Sequence, residues 1–423
     1  MIGLQALFSA GSRVFATGLL FLATILVARK LGPEGQGLYT LAITLAATVT
    51  QFANLGLHTG NIYQLARDPK LLSPIIGNSL LISLLVGSIA AIFAVLVASG
   101  SARLSELEIA CLWLGAAMAP CRLFFTLGGN IFVGLHQIRT FNLMMVVNYA
   151  LILLCVAVAA VIRPTIESFL WGTLAGWLTA NLVLLGVLLK EVDFRISCSW
   201  SVFQDGFIYA AKAYVVCLLG FLMLRANIFL LQGLAGPQEV GLYSVPSNLM
   251  DVLNLLPASL ALVLFPRLIK NEESDRWAMT MKGTAAIAGF MLIACGIAAA
   301  VAEPAVRLAF GEEYLPAVGA IRWMLPAAFF CGLTSVTSQY VAAIGFPSSV
   351  IGIWTLGLCV MVGSSVPLIP IWGGVGAAIS LSLSYAVVFF LQVFLVWFYE
   401  FRRQQIPVQH AAGTRPGLSE RAA

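Results

Sequence analysis

The chain has 423 residues, of which 60% are hydrophobic and only 10% charged, with a formal net charge of +5. Soluble domains carry about 25% charged residues, and a soluble chain of this length could not cover its surface with so little polarity. Composition therefore excludes an ordinary soluble protein and calls for many membrane spans; the positive excess then records loop orientation rather than affinity for nucleic acid.

Twelve apolar runs have spanning length, at 9–29, 36–58, 74–99, 107–133, 140–162, 166–189, 206–232, 238–265, 278–302, 316–344, 349–369 and 374–399. Connections are short, the longest being 190–205 and 266–277. The first run lacks an A-x-A-like cleavage site and continues into a full span, so it is read as a span and not a signal peptide. The polar tail 401–423 is expected to be disordered. With the N-terminus in the cytoplasm, fifteen Lys and Arg fall on the cytoplasmic side and five on the outer side. That bias supports an even number of spans with both termini inside.

An internal repeat organises the chain. "GPEGQGLYT" (Gly32 to Thr40) reads against "GPQEVGLYS" (Gly236 to Ser244), matching Gly32/Gly236, Pro33/Pro237, Gly37/Gly241, Leu38/Leu242 and Tyr39/Tyr243. Each copy sits between the first and second spans of its half. Six spans per half is even, so both halves insert the same way round and form parallel repeats. The expected fold is all-α, with twelve transmembrane helices in two parallel six-helix lobes around a central cleft. The divisions are an N-terminal lobe (1–190), a cytoplasmic linker (191–205), a C-terminal lobe (206–400) and a tail (401–423).

Ionisable residues inside spans cost about 2.5–3.5 kcal/mol on insertion scales and so call for a reason. Arg13 and Lys212 lie early in the leading span of each half. Two readings stand for them: cations at the inner mouth that capture an anion, or side chains that snorkel to headgroups. Arg122 lies deeper, about 14 residues or ~21 Å into the fourth span, and is the first choice for a cleft cation over a structural ion pair. Asp251, near the middle of the eighth span, is read as Arg122's partner or as a coupling carboxylate. Arg322, near the outer end of the tenth span, is open to the same coupling or pairing roles. Arg225 is 13 residues beyond Lys212, about 220° around a helix, so the two cannot share one face of an unbroken helix, and snorkelling is favoured for Arg225. Pro120, Pro246, Pro257 and Pro326 are expected kink sites.

His58, His136 and His410 have no metal-ligand companion at helical spacing, and no Walker A or GxSxG pattern occurs. No metal or cofactor is expected. The outer loops are only a few residues long apart from about 12 residues around 303–315, where Glu312 and Glu313 form the one outer acidic pair. A membrane glycan ligase would be expected to carry a larger catalytic loop, so the reading is not an enzyme. Eight scattered cysteines without a CxxC are read as small buried hydrophobes. Tyr39, Trp113, Trp277, Trp397 and Tyr399 are read as interfacial anchors.

At "ARKLGPEGQGLYTLA", "FANLGLHTGNIYQLAR" and "RANIFLLQGLAGPQEVGLYS" the chain resembles the polysaccharide-transport branch of the multidrug/oligosaccharidyl-lipid/polysaccharide exporter superfamily, the O-antigen and capsule flippases of bacteria. The resemblance is close over spans one, two, seven and eight and rests elsewhere on hydropathy and span count. It implies a fold like that of multidrug exporters of the superfamily, a place in the bacterial cytoplasmic membrane, and movement of lipid-linked oligosaccharide between leaflets by alternating access. Membrane lipids and polysaccharide polymerase or export proteins are the implied partners. Relatives often carry an acidic residue where this chain has Asn227.

The leading expectation is a flippase for undecaprenyl-diphosphate-linked oligosaccharide with Arg13, Arg122 and Lys212 as cleft cations. A multidrug-type exporter of the same fold is the first alternative and should show acidic cleft residues. A membrane glycosyltransferase or ligase is the second.

Overall fold

The computed structural model describes residues 2–101, 106–193, 195–261, 273–343 and 347–404. Among these every regular element is helical: α1 (Ile2–Asn54), α2 (Leu57–Arg67), α3 (Leu72–Ser101), α4 (Glu106–Gly134), α5 (Ile138–Ile162), α6 (Ile166–Glu191), α7 (Trp200–Ala235), α8 (Pro237–Leu253), α9 (Glu273–Ala309), α10 (Ala317–Ala343) and α11 (Ser349–Gln404). Among the described residues nine helices are long and apolar enough to cross a membrane. Two of them, α1 and α11, are each broken by one glycine, at Gly32 (φ 67°) and Gly373 (φ 54°), and supply two spans apiece. The shorter α8, which resumes at 255–261 after a turn at Asn254, completes the twelve.

The repeat explains the breaks. Gly32 (φ 67°, ψ −177°) and Gly236 (φ 88°, ψ 177°) share one backbone conformation, in a region that side chains other than hydrogen essentially forbid. The prolines that follow, Pro33 and Pro237, start the next helix, where a missing N–H removes no helical bond. The chain therefore reverses at the same point in each half.

The two returning helices, residues 33–54 and α8, then cross one another. A Cβ added to Gly37 would overlap the carbonyl of Pro237, and one added to Gly241 would overlap the carbonyl of Pro33. The contact is reciprocal, so the repeat packs against its own second copy. Contacts around it reinforce this end of the molecule. Gln36 Nε2 donates to Ser244 Oγ at 3.4 Å. Arg29 Nε donates to the Ala309 carbonyl at 2.6 Å and its Nη2 to Leu308, capping the C-terminus of α9. Tyr314 donates to the Ala28 carbonyl at 3.3 Å. Glu313 lies beside Gly32, 3.2 Å from where a Cβ would stand.

The opposite end is held by α7. The Asn78 amide pairs with both backbone groups of Ser199, donating at 2.8 Å and accepting at 3.1 Å. Gln64 donates to Val202 O at 2.8 Å, and the Tyr214 hydroxyl reaches Gln51 O at 2.9 Å. The leading part of α7 thus leans on the first half, while Val216 packs beside Trp354 of the second.

Several expectations change. The second span stops at Asn54, because Leu55 (φ 49°) and Gly56 (φ 76°) turn the chain into the separate amphipathic helix α2. Helix α7 begins at Trp200, so the mid-chain connection is shorter than 190–205. Helices α4, α8 and α10 run through Pro120, Pro246 and Pro326 without a break, whereas the turn at Asn254 falls three residues before Pro257, one of the expected kink sites. Tyr39 is buried, donating to or accepting from Thr173 Oγ1 at 2.9 Å, and so is no interfacial anchor. All eight cysteines are free, but Cys198, Cys217 and Cys359 are exposed rather than buried. The expected disordered tail beyond Gln404 lies outside the described residues.

Replacing Gly37 or Gly241 with alanine should lower the thermal midpoint in detergent, on the scale of about 1–3 kcal/mol for overpacking. Gly296→Ala, where the added Cβ meets nothing within 4 Å, is the control and should not. Equal midpoints for all three would mean that the crossing is loose.

At the α1–α2 joint, His58 bonds Asn54 Nδ2 at 2.7 Å and Thr59 Oγ1 at 3.2 Å. Burial pulls its pKa below the ordinary 6.5, so the folded protein favours the neutral ring. The stability this supplies is present above the ordinary value and is lost as pH falls from there toward the lowered one. Hydrogen exchange over 54–67 should quicken between about pH 7 and about pH 5, after correction for intrinsic rates. His58→Gln should flatten that dependence; an unchanged profile would contradict it.

Candidate functional site between the repeat helices

Below the crossing the two returning helices separate and present equivalent faces to a cavity. The second arm of α1 contributes Gln36, Tyr39, Thr40, Ile43, Thr44 and Ala47, and α8 contributes Ser244, Ser247, Asn248 and Asp251. Steps of three and four place each set on one helical face. In the register of the repeat, Thr40 matches Ser244, Ile43 matches Ser247, Thr44 matches Asn248 and Ala47 matches Asp251. Arg122 of α4, Tyr149 of α5, Thr173 and Trp177 of α6 and Arg225 of α7 complete the wall of a space of about 170 Å³.

Charge breaks the symmetry. Arg225 and Asp251 stand where the first half has Phe21 and Ala47. Arg225 Nη2 donates to Asp251 Oδ2 at 2.7 Å, and its Nη1 donates to Ser247 Oγ at 3.2 Å. The pair is not sealed off, since the two side chains keep 26% and 40% of their exposure. By helical rise Asp251 lies about 15 Å below the crossing at Gly241.

Arg122 is differently placed. Among the described residues it has no carboxylate partner, and its buried Nε finds no acceptor. Its guanidinium lies 5.0 Å from the ring centre of Trp177, in a cation–π contact. Two guanidinium groups thus face one carboxylate, and the cavity carries a net positive charge with one cation uncommitted.

The other sequence candidates sit elsewhere. Arg13 is half-buried on the first arm of α1 and is absent from the cavity wall. The side chain of Lys212 lies outside the described residues. Arg322 is exposed on α10, away from the cavity, and makes no ion pair among the described residues. Asp251 pairs with Arg225 and not with Arg122. Arg225, expected to snorkel, instead turns into the cavity. The angular argument separating it from Lys212 is sound geometry, but α7 runs on to Ala235 and leaves Arg225 well inside the span. The polar stripe on α8, Ser244-Ser247-Asn248-Asp251, was the signal in the sequence that would have pointed there.

Asn227, two residues beyond Arg225 and so on the opposite side of α7, is fully buried. Its Nδ2 donates to Tyr243 Oη at 3.4 Å and to Ala377 O at 3.2 Å, and its Oδ1 accepts from Ser365 Oγ at 3.1 Å. It ties α7 to α8 and to both arms of α11. No group of three or more metal-ligating side chains occurs among the described residues.

The sequence profile described as polysaccharide biosynthesis protein matches residues 4–272. The chain belongs to that family. A putative O-antigen transporter of Shigella flexneri is 23% identical over 338 residues, covering 75% of this chain and 79% of that one. Among solved structures, an inward-facing multidrug resistance MATE family transporter of the MOP superfamily superposes with a TM-score of 0.76 at 14% identity, covering 92% of this chain and 96% of that one. The lipid II flippase MurJ in an inward closed conformation gives 0.72 at 14% identity, covering 92% and 87%. This member of the polysaccharide biosynthesis protein family therefore shares its fold with those MOP superfamily structures, and its long apolar helices make it a multi-pass membrane protein.

Replacing Asn227 with alanine should take the amide away from the buried Ser365 and Tyr243 hydroxyls, costing about 1–3 kcal/mol. Thermal unfolding in detergent would register this; an unchanged midpoint would remove Asn227 as the support of α7.

Proposed function

We propose that this polysaccharide biosynthesis protein is a flippase for a polyprenyl-diphosphate-linked oligosaccharide. Its central cavity would hold the anionic diphosphate while the prenyl tail stays in lipid. The observation that carries the reading is Arg122, a guanidinium at membrane depth on the wall of the cavity between the repeat helices with no carboxylate partner among the described residues. A charge left in that position costs energy unless something answers it, and a guanidinium fork suits phosphate oxygens. The Thr and Ser hydroxyls on both repeat helices supply further donors.

In this reading the N-terminus is cytoplasmic, the Gly37–Gly241 crossing closes the outer end, and the cavity is reached from within. Transport would open the crossing and close the end held by α7, by alternating access. An exporter of organic cations would need an acidic cavity, whereas this one is net basic. Glu313 lies beside the Gly32 turn, and neither it nor Glu312 lines the cavity.

In a strain whose surface polysaccharide depends on this protein, Arg122→Gln should reduce surface glycan at least about tenfold, the scale of one lost charge-assisted hydrogen bond. Membrane levels of the protein should hold. Normal glycan with Arg122→Gln would remove the central anion site.

A further inference from the structure

The Arg225–Asp251 pair has the geometry of a bond made to be exchanged. It lines the cavity rather than the packed core, keeps partial exposure, and rests on a single carboxylate oxygen, since only Asp251 Oδ2 is bonded to the guanidinium. The second Arg225 nitrogen is engaged only by the Ser247 hydroxyl, at 3.2 Å. Arg122 lines the same cavity as Arg225. Nothing in the first half needs such a pair, because Phe21 and Ala47 occupy the matching positions without it.

We infer that Asp251 is an internal counter-ion that competes with the cargo for Arg225, and that this competition selects a diphosphate over singly phosphorylated or carboxylate anions. The inference rests on the anion-site reading of Arg122. An anion with one charged centre can satisfy Arg122 alone and leaves the Arg225–Asp251 bond intact. A diphosphate has a second charged centre, which reaches Arg225 and repels Asp251 from it. Only that ligand gains both guanidinium groups, so the carboxylate imposes a penalty that weak anions cannot offset. The carboxylate also keeps the empty cavity from carrying two bare cations at membrane depth.

The test is equilibrium binding of inorganic pyrophosphate and of inorganic phosphate to the full-length protein in detergent micelles. Wild type should bind pyrophosphate at least about tenfold more tightly than phosphate. Asp251→Asn should tighten phosphate by about tenfold and shrink the gap between the two ligands. If both affinities stay within about twofold of wild type in a folded Asp251→Asn protein, or weaken, Asp251 is a structural partner and the inference fails. The double replacement Arg225→Gln with Asp251→Asn, which leaves no bare carboxylate in the cavity, gives an independent check: relative to wild type, pyrophosphate affinity should fall about tenfold with phosphate nearly unchanged, and equal losses for both would also overturn it. Folded wild type that binds no pyrophosphate would instead overturn the anion-site reading itself. A prenyl diphosphate should displace pyrophosphate better than a nucleoside diphosphate does; the reverse order would contradict a lipid-borne cargo.

Discussion

The reciprocal crossing of Gly37 and Gly241 is the constraint on which the rest of the structure depends. Two helix backbones approach so closely there that neither can carry a side chain at the contact. The approach requires both chains to reverse just beforehand, and that requires Gly32 and Gly236 in a conformation open only to glycine. Once the helices are pinned at this point, their divergence below it makes the cavity. The Arg29 cap on α9 and the Tyr314 bond to Ala28 hold the same end shut. A close-packed contact of this kind has two settings, met or parted, rather than a continuum. That is the property the proposed transport cycle asks of this crossing.

The scaffold is symmetric and the chemistry is not. Equivalent turns of the two repeat helices face the cavity, yet Arg225 and Asp251 come from the second half alone and Arg122 from the first. Among the described residues one cation is therefore answered by a carboxylate and the other is not. The aromatic face of Trp177 steadies Arg122 without neutralising it. Asn227 fixes the height and rotation of α7, through partners on three other segments, so that Arg225 faces inward.

Much of this was legible in the sequence because the membrane restricts the alternatives. Hydropathy located the spans, and the Gly-Pro repeat announced two like halves. Arg122 was identifiable from depth alone, since a charge so far into a span is rarely idle. Helix α2 was missed because its apolar face is short and sits next to a span, so Leu57 and His58 were absorbed into the run before them. Arg225 was misplaced because depth was judged from hydropathy, which ends a helix before its polar last turn. The partner of Asp251 could not be read at all. It depends on how α7 and α8 rotate against each other, and no pattern within either helix encodes that rotation. The mutual contact of the two repeats was equally hidden: sequence shows that two segments are alike, not that they touch.

The most direct test of the account is a structure determined with a long-chain prenyl diphosphate bound. The account predicts phosphate density within hydrogen-bond reach of the Arg122 guanidinium, in the cavity between the second arm of α1 and α8, with the prenyl chain leaving toward lipid between the lobes. Phosphate bound only at the surface, with Arg122 still lying on Trp177 and the cavity holding nothing of the ligand, would contradict it.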